Sequence, residues 1–128
     1  MKIIILGAGQ VGSSVAAALS VEDQNDITVV DSDAHRLREL TEKLDIRAVV
    51  GHASLPSVLA QAGLDEAELL VAVTSSDEVN IIACQIAAQQ PDAPTRVARL
   101  RELEYLALAK EGLGGEAAVT AAISPEEL

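Results

Sequence analysis

The residues best suited to chemistry lie near the start of the chain, in Gly7-Ala8-Gly9-Gln10-Val11-Gly12. This G-x-G-x-x-G spacing follows an apolar run, Lys2 to Leu6, and precedes an Ala-rich stretch, so it reads as a strand-to-helix turn. Gly7 permits a tight turn, Gly9 lets the backbone approach a pyrophosphate, and Gly12 lets the first helix pack against the sheet. A helix starting here would aim unpaired N–H groups and the positive end of its dipole at a phosphate. Asp31 stands nineteen residues after Gly12, at the end of the next apolar run. A carboxylate there can accept hydrogen bonds from both hydroxyls of a ribose and would repel a 2′-phosphate, so NAD is expected to be preferred over NADP.

Further candidates recur at the ends of later apolar runs. His52 and Ala53, within Gly51-His52-Ala53-Ser54, follow the third run. His52 can edge an adenine or stand as an exposed loop histidine. Thr74 and Ser75 follow the fourth run, where their hydroxyls can contact phosphate or ribose or simply cap a helix. Arg99 ends the fifth, where its cation can pair with a phosphate or form an internal salt bridge. Arg36 can reach a 2′-phosphate but reads more simply as a solvated helix charge, and His35 as a surface residue. Cys84, flanked by Ile81, Ile82 and Ile86, reads as a small core residue. Neither histidine has an evident acid or nucleophile partner, and no metal-ligand spacing appears, so neither a catalytic set nor a metal site is expected.

The elements that must position these residues alternate along the chain. Strands are expected at Lys2–Leu6, Ile27–Val30, Ile46–Val50, Leu69–Val73, Thr95–Leu100 and Val119–Ile123. Helices are expected at Val11–Leu19, after a cap at Asp33, at Ser54–Ala62 with Ser54 as cap, from a Ser75-Ser76-Asp77-Glu78 capping box to about Gln89, and at Glu102–Glu111. Gly112, Gly114 and Gly115 are expected to form a turn. This alternation predicts a single α/β domain over 1–128, a Rossmann-type doubly wound parallel sheet with strand order 3-2-1-4-5-6.

Composition sets limits on partners. The 128 residues carry a net charge of -11, and Tyr105 is the lone aromatic. Nucleic-acid binding needs cations to neutralise phosphates and aromatics to stack on bases, so no nucleic-acid partner is expected. The one cysteine cannot form an intrachain disulfide, and no apolar run reaches membrane-spanning length. A soluble cytoplasmic protein is expected, without direct membrane insertion.

Together these residues resemble the N-terminal domain family of TrkA, also called RCK-N or KTN. The resemblance rests on the glycine loop, Asp31, Gly51-His52-Ala53-Ser54, Val58-Leu59-Ala60-Gln61-Ala62-Gly63, Val71-Ala72-Val73-Thr74, Asp77-Glu78-Val79-Asn80, Ala98-Arg99-Leu100-Arg101 with Tyr105, and Ile123-Ser124-Pro125. His52 departs from the Asp that many relatives carry. The resemblance implies a non-enzymatic, nucleotide-sensing regulatory subunit of a potassium uptake transporter, binding NAD(H) and, in many members, ADP or ATP, with AMP a further occupant of the same site. It implies phosphate contacts from Gly7, Gly9, Gln10, Val11 and Gly12, with Thr74 and Arg99 on the same side, and Ala8, Ser32 and Ser75 complete the expected cofactor-binding set. Asp31 is assigned to ribose, and His52 and Ala53 to adenine. Glu78 and Asn80 match the pattern, with helix capping and dimer contacts both open. It further implies a homo-oligomer of paired Rossmann domains, a ring in the full-length protein, a membrane-embedded Trk-type partner at the inner face of the cell membrane, and a longer protein of which this chain is a fragment. Two other readings stand beside it: the cofactor half of an NAD-dependent oxidoreductase, and an assembly module with an empty cleft.

Overall fold

The computed structural model describes residues 1–111 and 119–123. The strands are β1 (Lys2–Leu6), β2 (Asp26–Asp31), β3 (Arg47–Val50), β4 (Leu69–Ala72), β5 (Thr95–Arg99) and β6 (Ala121–Ile123). The helices are α1 (Gln10–Leu19), α2 (Ala34–Lys43), α3 (Pro56–Gln61), α4 (Asp77–Ala88) and α5 (Leu103–Lys110). All strand pairs are parallel, in the order β3-β2-β1-β4-β5-β6, as the alternation of elements predicts. The chain winds outward from β1 to β3, then restarts on the other side of β1 with β4. That reversal opens a crevice at the carboxyl ends of β1 and β4.

The apolar runs are continuous because both sheet faces are covered. Successive side chains of β1 point to opposite faces. Ile3 and Ile5 join Val29, Val71, Ala16, Leu37 and Leu40 in a core beneath α1 and α2. Ile4 and Leu6 join Val30, Leu59, Leu70, Cys84 and Leu100 in a second core beneath α3, α4 and α5. With no Phe or Trp available, both layers are filled by aliphatic side chains. Burying each such side chain contributes roughly 1.5–3 kcal/mol.

Several local expectations shift. α3 begins at Pro56, and its cap position is Leu55, which makes no side-chain capping bond. Ser54 does not cap it; its hydroxyl lies 3.1 Å from His52 Nδ1. The Ser75–Glu78 box also fails by one residue: Ser76 is the cap of α4, its Oγ accepting from the Val79 N–H at 3.2 Å. Glu78 turns back to accept from the Ser76 hydroxyl instead, also at 3.2 Å. A short 3-10 turn, Leu64–Glu66, has no counterpart in the expectations. β6 begins two residues later than expected, with Val119 buried just before it. The expected glycine turn at 112–115 lies outside the described residues.

Candidate functional site

The glycine loop is built by sterics at two of its glycines. Gly7 sits at φ +109, a left-handed region closed to most side chains. A Cβ on Gly12 would lie 1.8 Å from the Gly7 carbonyl oxygen, so α1 starts hard against the loop that precedes it. This close approach is to the loop backbone more than to the sheet; Val73 Cγ2, just past the end of β4, would lie at 3.6 Å. Gly9 is different. A Cβ there would meet only the guanidinium of Arg36, at an ordinary 3.7 Å. The space above Gly9 is therefore not needed by the fold.

Gly9 occupies the cap position of α1 and offers no side-chain acceptor, and the first turn of α1 holds no acid. The leading N–H groups of α1 thus have no partner within the helix. The contrast is with α2, where Asp33 accepts from the His35 and Arg36 N–H groups as expected, and with α4, capped by Ser76.

Asp31 closes the second side. Its Oδ2 accepts from the Ala8 N–H at 2.7 Å and its Oδ1 from the Asp33 N–H at 2.8 Å. The carboxylate is locked in orientation, tying the end of β2 to the glycine loop. Each oxygen retains a further lone pair for a ribose hydroxyl.

The third side is held by two side chains of α4. Asn80 is wholly buried. Its Oδ1 accepts from the Thr74 N–H at 3.0 Å and the Thr74 hydroxyl at 2.7 Å. Its Nδ2 donates to the carbonyls of Thr74 at 3.2 Å and Arg99 at 2.8 Å. The Thr74 hydroxyl also accepts from the Ser76 N–H at 3.2 Å, so it is largely engaged within the protein. Asp77, also buried, accepts from the Arg101 and Glu102 N–H groups at 2.8 to 3.0 Å. Asn80 and Asp77 therefore fix the turns leaving β4 and β5. Their sequence signal was the Asp77-Glu78-Val79-Asn80 pattern, which does not reveal what each side chain binds.

These walls enclose a cavity of about 410 Å³ at the crevice between β1 and β4. Of the expected residues, Gly7, Gly9, Gln10, Val11, Asp31, Ser32, His52, Ala53, Thr74, Ser75 and Arg99 line it. Ala8 and Gly12 do not; the first holds Asp31 and the second packs against the loop. His52 is exposed at the rim. Arg36 and Arg101 also line the cavity. Among the described residues neither Arg99 nor Arg101 has a salt-bridge partner, and Arg99 Nε is buried without a hydrogen bond. The cavity thus presents cations from Arg99 at the end of β5 and Arg101 just beyond it, and helix N–H groups from α1, with one fixed carboxylate at its β2 end.

Other expected residues fall outside it. Cys84 is fully buried, and loss of solvation pushes its thiol up to about 12, against a smaller opposing pull from Arg96. It is a core residue, as its apolar neighbours suggest. His35 is exposed and pairs with Glu39 at 2.8 Å. Among the described residues, no cluster of His, Cys, Asp and Glu is arranged to hold a metal. No described helix is long and apolar enough to cross a membrane.

Sheet order, glycine loop and cleft define a Rossmann-type domain with its crevice at the strand-order reversal. The TrkA-N domain model matches residues 3–125, and the chain belongs to that family. It is 56% identical over 130 aligned positions to the Trk system potassium uptake protein TrkA of Vibrio alginolyticus, covering 100% of this chain and 28% of the relative. It is 55% identical over the same length to the TrkA of Halomonas elongata, again covering 100% and 28%. The chain therefore spans about 28% of the length of these curated relatives. Among solved structures, the TrkA-N domain of the Escherichia coli inner membrane protein ybaL superposes with a TM-score of 0.81 at 24% identity, covering 98% of this chain and 88% of that one. The Kef C-terminal domain of Shewanella denitrificans in its AMP-bound form gives 0.77 at 21%, covering 97% and 71%. The GsuK channel bound to NAD gives 0.76 at 19%, covering 95% and 21%.

Proposed function

We propose that this chain is the nucleotide-sensing domain of a cytosolic regulatory subunit in a potassium uptake system, and that it binds NAD(H) and ADP or ATP, with AMP a further occupant of the same cleft. One observation carries the reading: the uncapped start of α1 lines one cavity with Arg99 and Arg101, which have no salt-bridge partner among the described residues, and Asp31 is fixed at its edge. A pyrophosphate would receive the α1 N–H groups and the Arg99 and Arg101 guanidiniums. An adenosine ribose would hydrogen-bond Asp31 beside Ser32, and the adenine would lie toward His52 and Ala53. The potassium-uptake names of the relatives and the AMP and NAD in the similar Kef and GsuK structures support this assignment.

The role is regulatory and non-enzymatic. Bound nucleotide shifts the equilibrium between shapes of a homo-oligomer that sits at the inner face of the membrane through a Trk-type membrane subunit. A ligand moves that equilibrium only by its differential affinity for the shapes. Exposed Ile82 on α4 and Leu103 and Leu108 on α5 offer apolar surface for pairing of domains.

Calorimetric titration with NAD, NADH, NADP, AMP, ADP and ATP tests the site. NAD(H) and at least one adenosine phosphate should bind, and NADP more weakly. Asp31→Ala should weaken every ribose-bearing ligand by about tenfold, the equivalent of one hydrogen bond to a charged group. Equal affinity for NAD and NADP, or an Asp31→Ala chain that binds like the parent, would remove the role given to Asp31.

A further inference from the structure

Arg36 stands on the first turn of α2, across the cleft from Arg99 and Arg101. Three of the six arginines of a chain with net charge -11 thus converge on one cavity. The one ion pair of the Arg36 guanidinium among the described residues joins Nε to Asp33 Oδ2 at 3.6 Å, with both side chains about half exposed. A pair so long and so wet holds the side chain weakly. Nη1 points elsewhere, to within 3.7 Å of the position a Cβ on Gly9 would take. It therefore covers the space that Gly9 leaves open above the start of α1. Arg36, with Gly9 and Gln10, lines both the cleft and a neighbouring groove between α1 and α2.

We propose that Arg36 is a phosphate-binding residue, closing over the 5′-phosphate groups of the nucleotide from the α2 side while the α1 N–H groups, Arg99 and Arg101 hold them from the others. The inference rests on the nucleotide-binding reading above. A guanidinium suits the task because its planar fork gives two parallel bonds to phosphate oxygens. The competing partner would be a phosphate on the ribose 2′ position. That group would have to lie against Asp31, whose carboxylate is pinned by the Ala8 and Asp33 N–H groups and cannot turn away. The reach of Nη1 toward Gly9 favours the 5′-phosphates. Arg38, on the same helix, does not line the cleft and serves as a control.

The test is titration of the parent chain, Arg36→Gln, Arg36→Lys and Arg38→Gln with adenosine, AMP, ADP, NAD and NADP. Arg36→Gln should weaken AMP, ADP and NAD by about tenfold, as expected for a lost charged hydrogen bond, and adenosine by less than about twofold. Arg36→Lys should recover part of the loss, and Arg38→Gln should bind as the parent does. Unchanged affinities in Arg36→Gln would overturn the assignment, and so would an equal loss for adenosine. A loss confined to NADP would show that the guanidinium reads a 2′-phosphate, which also overturns it. If the parent chain binds none of the adenine nucleotides, the nucleotide-binding reading fails with it.

Discussion

At the scale of single residues, the three glycines of the loop answer to different constraints. Gly12 is demanded by the fold, because its Cβ would overlap the Gly7 carbonyl. Gly9 meets no such obstacle and has an ordinary φ of -74. Gly12→Ala should therefore destabilise the domain by about 2 kcal/mol or more, through forced separation of α1 from the loop. Gly9→Ala should cost no more than about 1 kcal/mol, the difference between Gly and Ala at a helix cap, yet should weaken nucleotide binding at least about tenfold by filling the phosphate space. Chemical denaturation and calorimetry on both variants check this. A Gly9→Ala chain with parental affinity would place the phosphate elsewhere. Cys84 gives a second residue-scale expectation. Its folded pKa is raised from 9.0 to about 12, so the folded state holds its proton longer than the unfolded chain. Its contribution is intact below pH 9 and declines as pH rises from 9 toward 12. Relative to a Cys84→Ala variant, the parent should lose about 1.4 kcal/mol between pH 8 and pH 10, as the linkage relation requires. Urea denaturation of both chains at the two pH values measures it.

At the scale of elements, α4 does more than cover the sheet. Through Asn80 it joins the turn after β4 to the end of β5, and through Asp77 it holds the turn into α5. Asn80 uses both its oxygen and its amide hydrogens, so its loss leaves several buried polar groups without partners. Asn80→Ala should destabilise the domain by about 2–4 kcal/mol. It should also weaken nucleotide binding, because Thr74 and Arg99 lose a shared support. Denaturation midpoints with and without NAD separate the two effects; a variant as stable as the parent would show that the network is dispensable. The elements themselves were readable because each follows from local pattern. Apolar runs ended by glycine or aspartate marked the strands, and Asp33 marked the start of α2. Caps were harder. Ser54 and Ser75 each sit one residue from the cap position used, and nothing in the chain distinguishes Ser75 from Ser76. That choice depends on where β4 ends and how α4 crosses toward β5.

At the scale of the whole molecule, the two layers of aliphatic core hold a six-stranded sheet whose carboxyl edge carries the cleft. A ligand bound only to the folded chain adds stability by mass action, about 2.7 kcal/mol at a concentration one hundred times its dissociation constant. For a chain of 128 residues this corresponds to a rise in melting temperature on the order of 10 °C. NAD should produce such a rise in a thermal melt. Absence of any shift at saturating NAD, AMP, ADP and ATP would argue for an assembly domain whose cleft stays empty. The sequence alone determined the order of strands and helices, the doubly wound topology, the glycine loop and the acid at the end of β2. These follow from side-chain periodicity, from the need for glycine at positive φ, and from the single handedness of parallel crossovers. Only the tertiary structure decided which distant side chains share the cleft. Arg36 turns from a solvated helix charge into its wall because α2 packs beside α1, and Asn80 becomes a clamp because β5 lies next to β4. Such meetings depend on which elements become neighbours in space, and no stretch of local sequence carries that information.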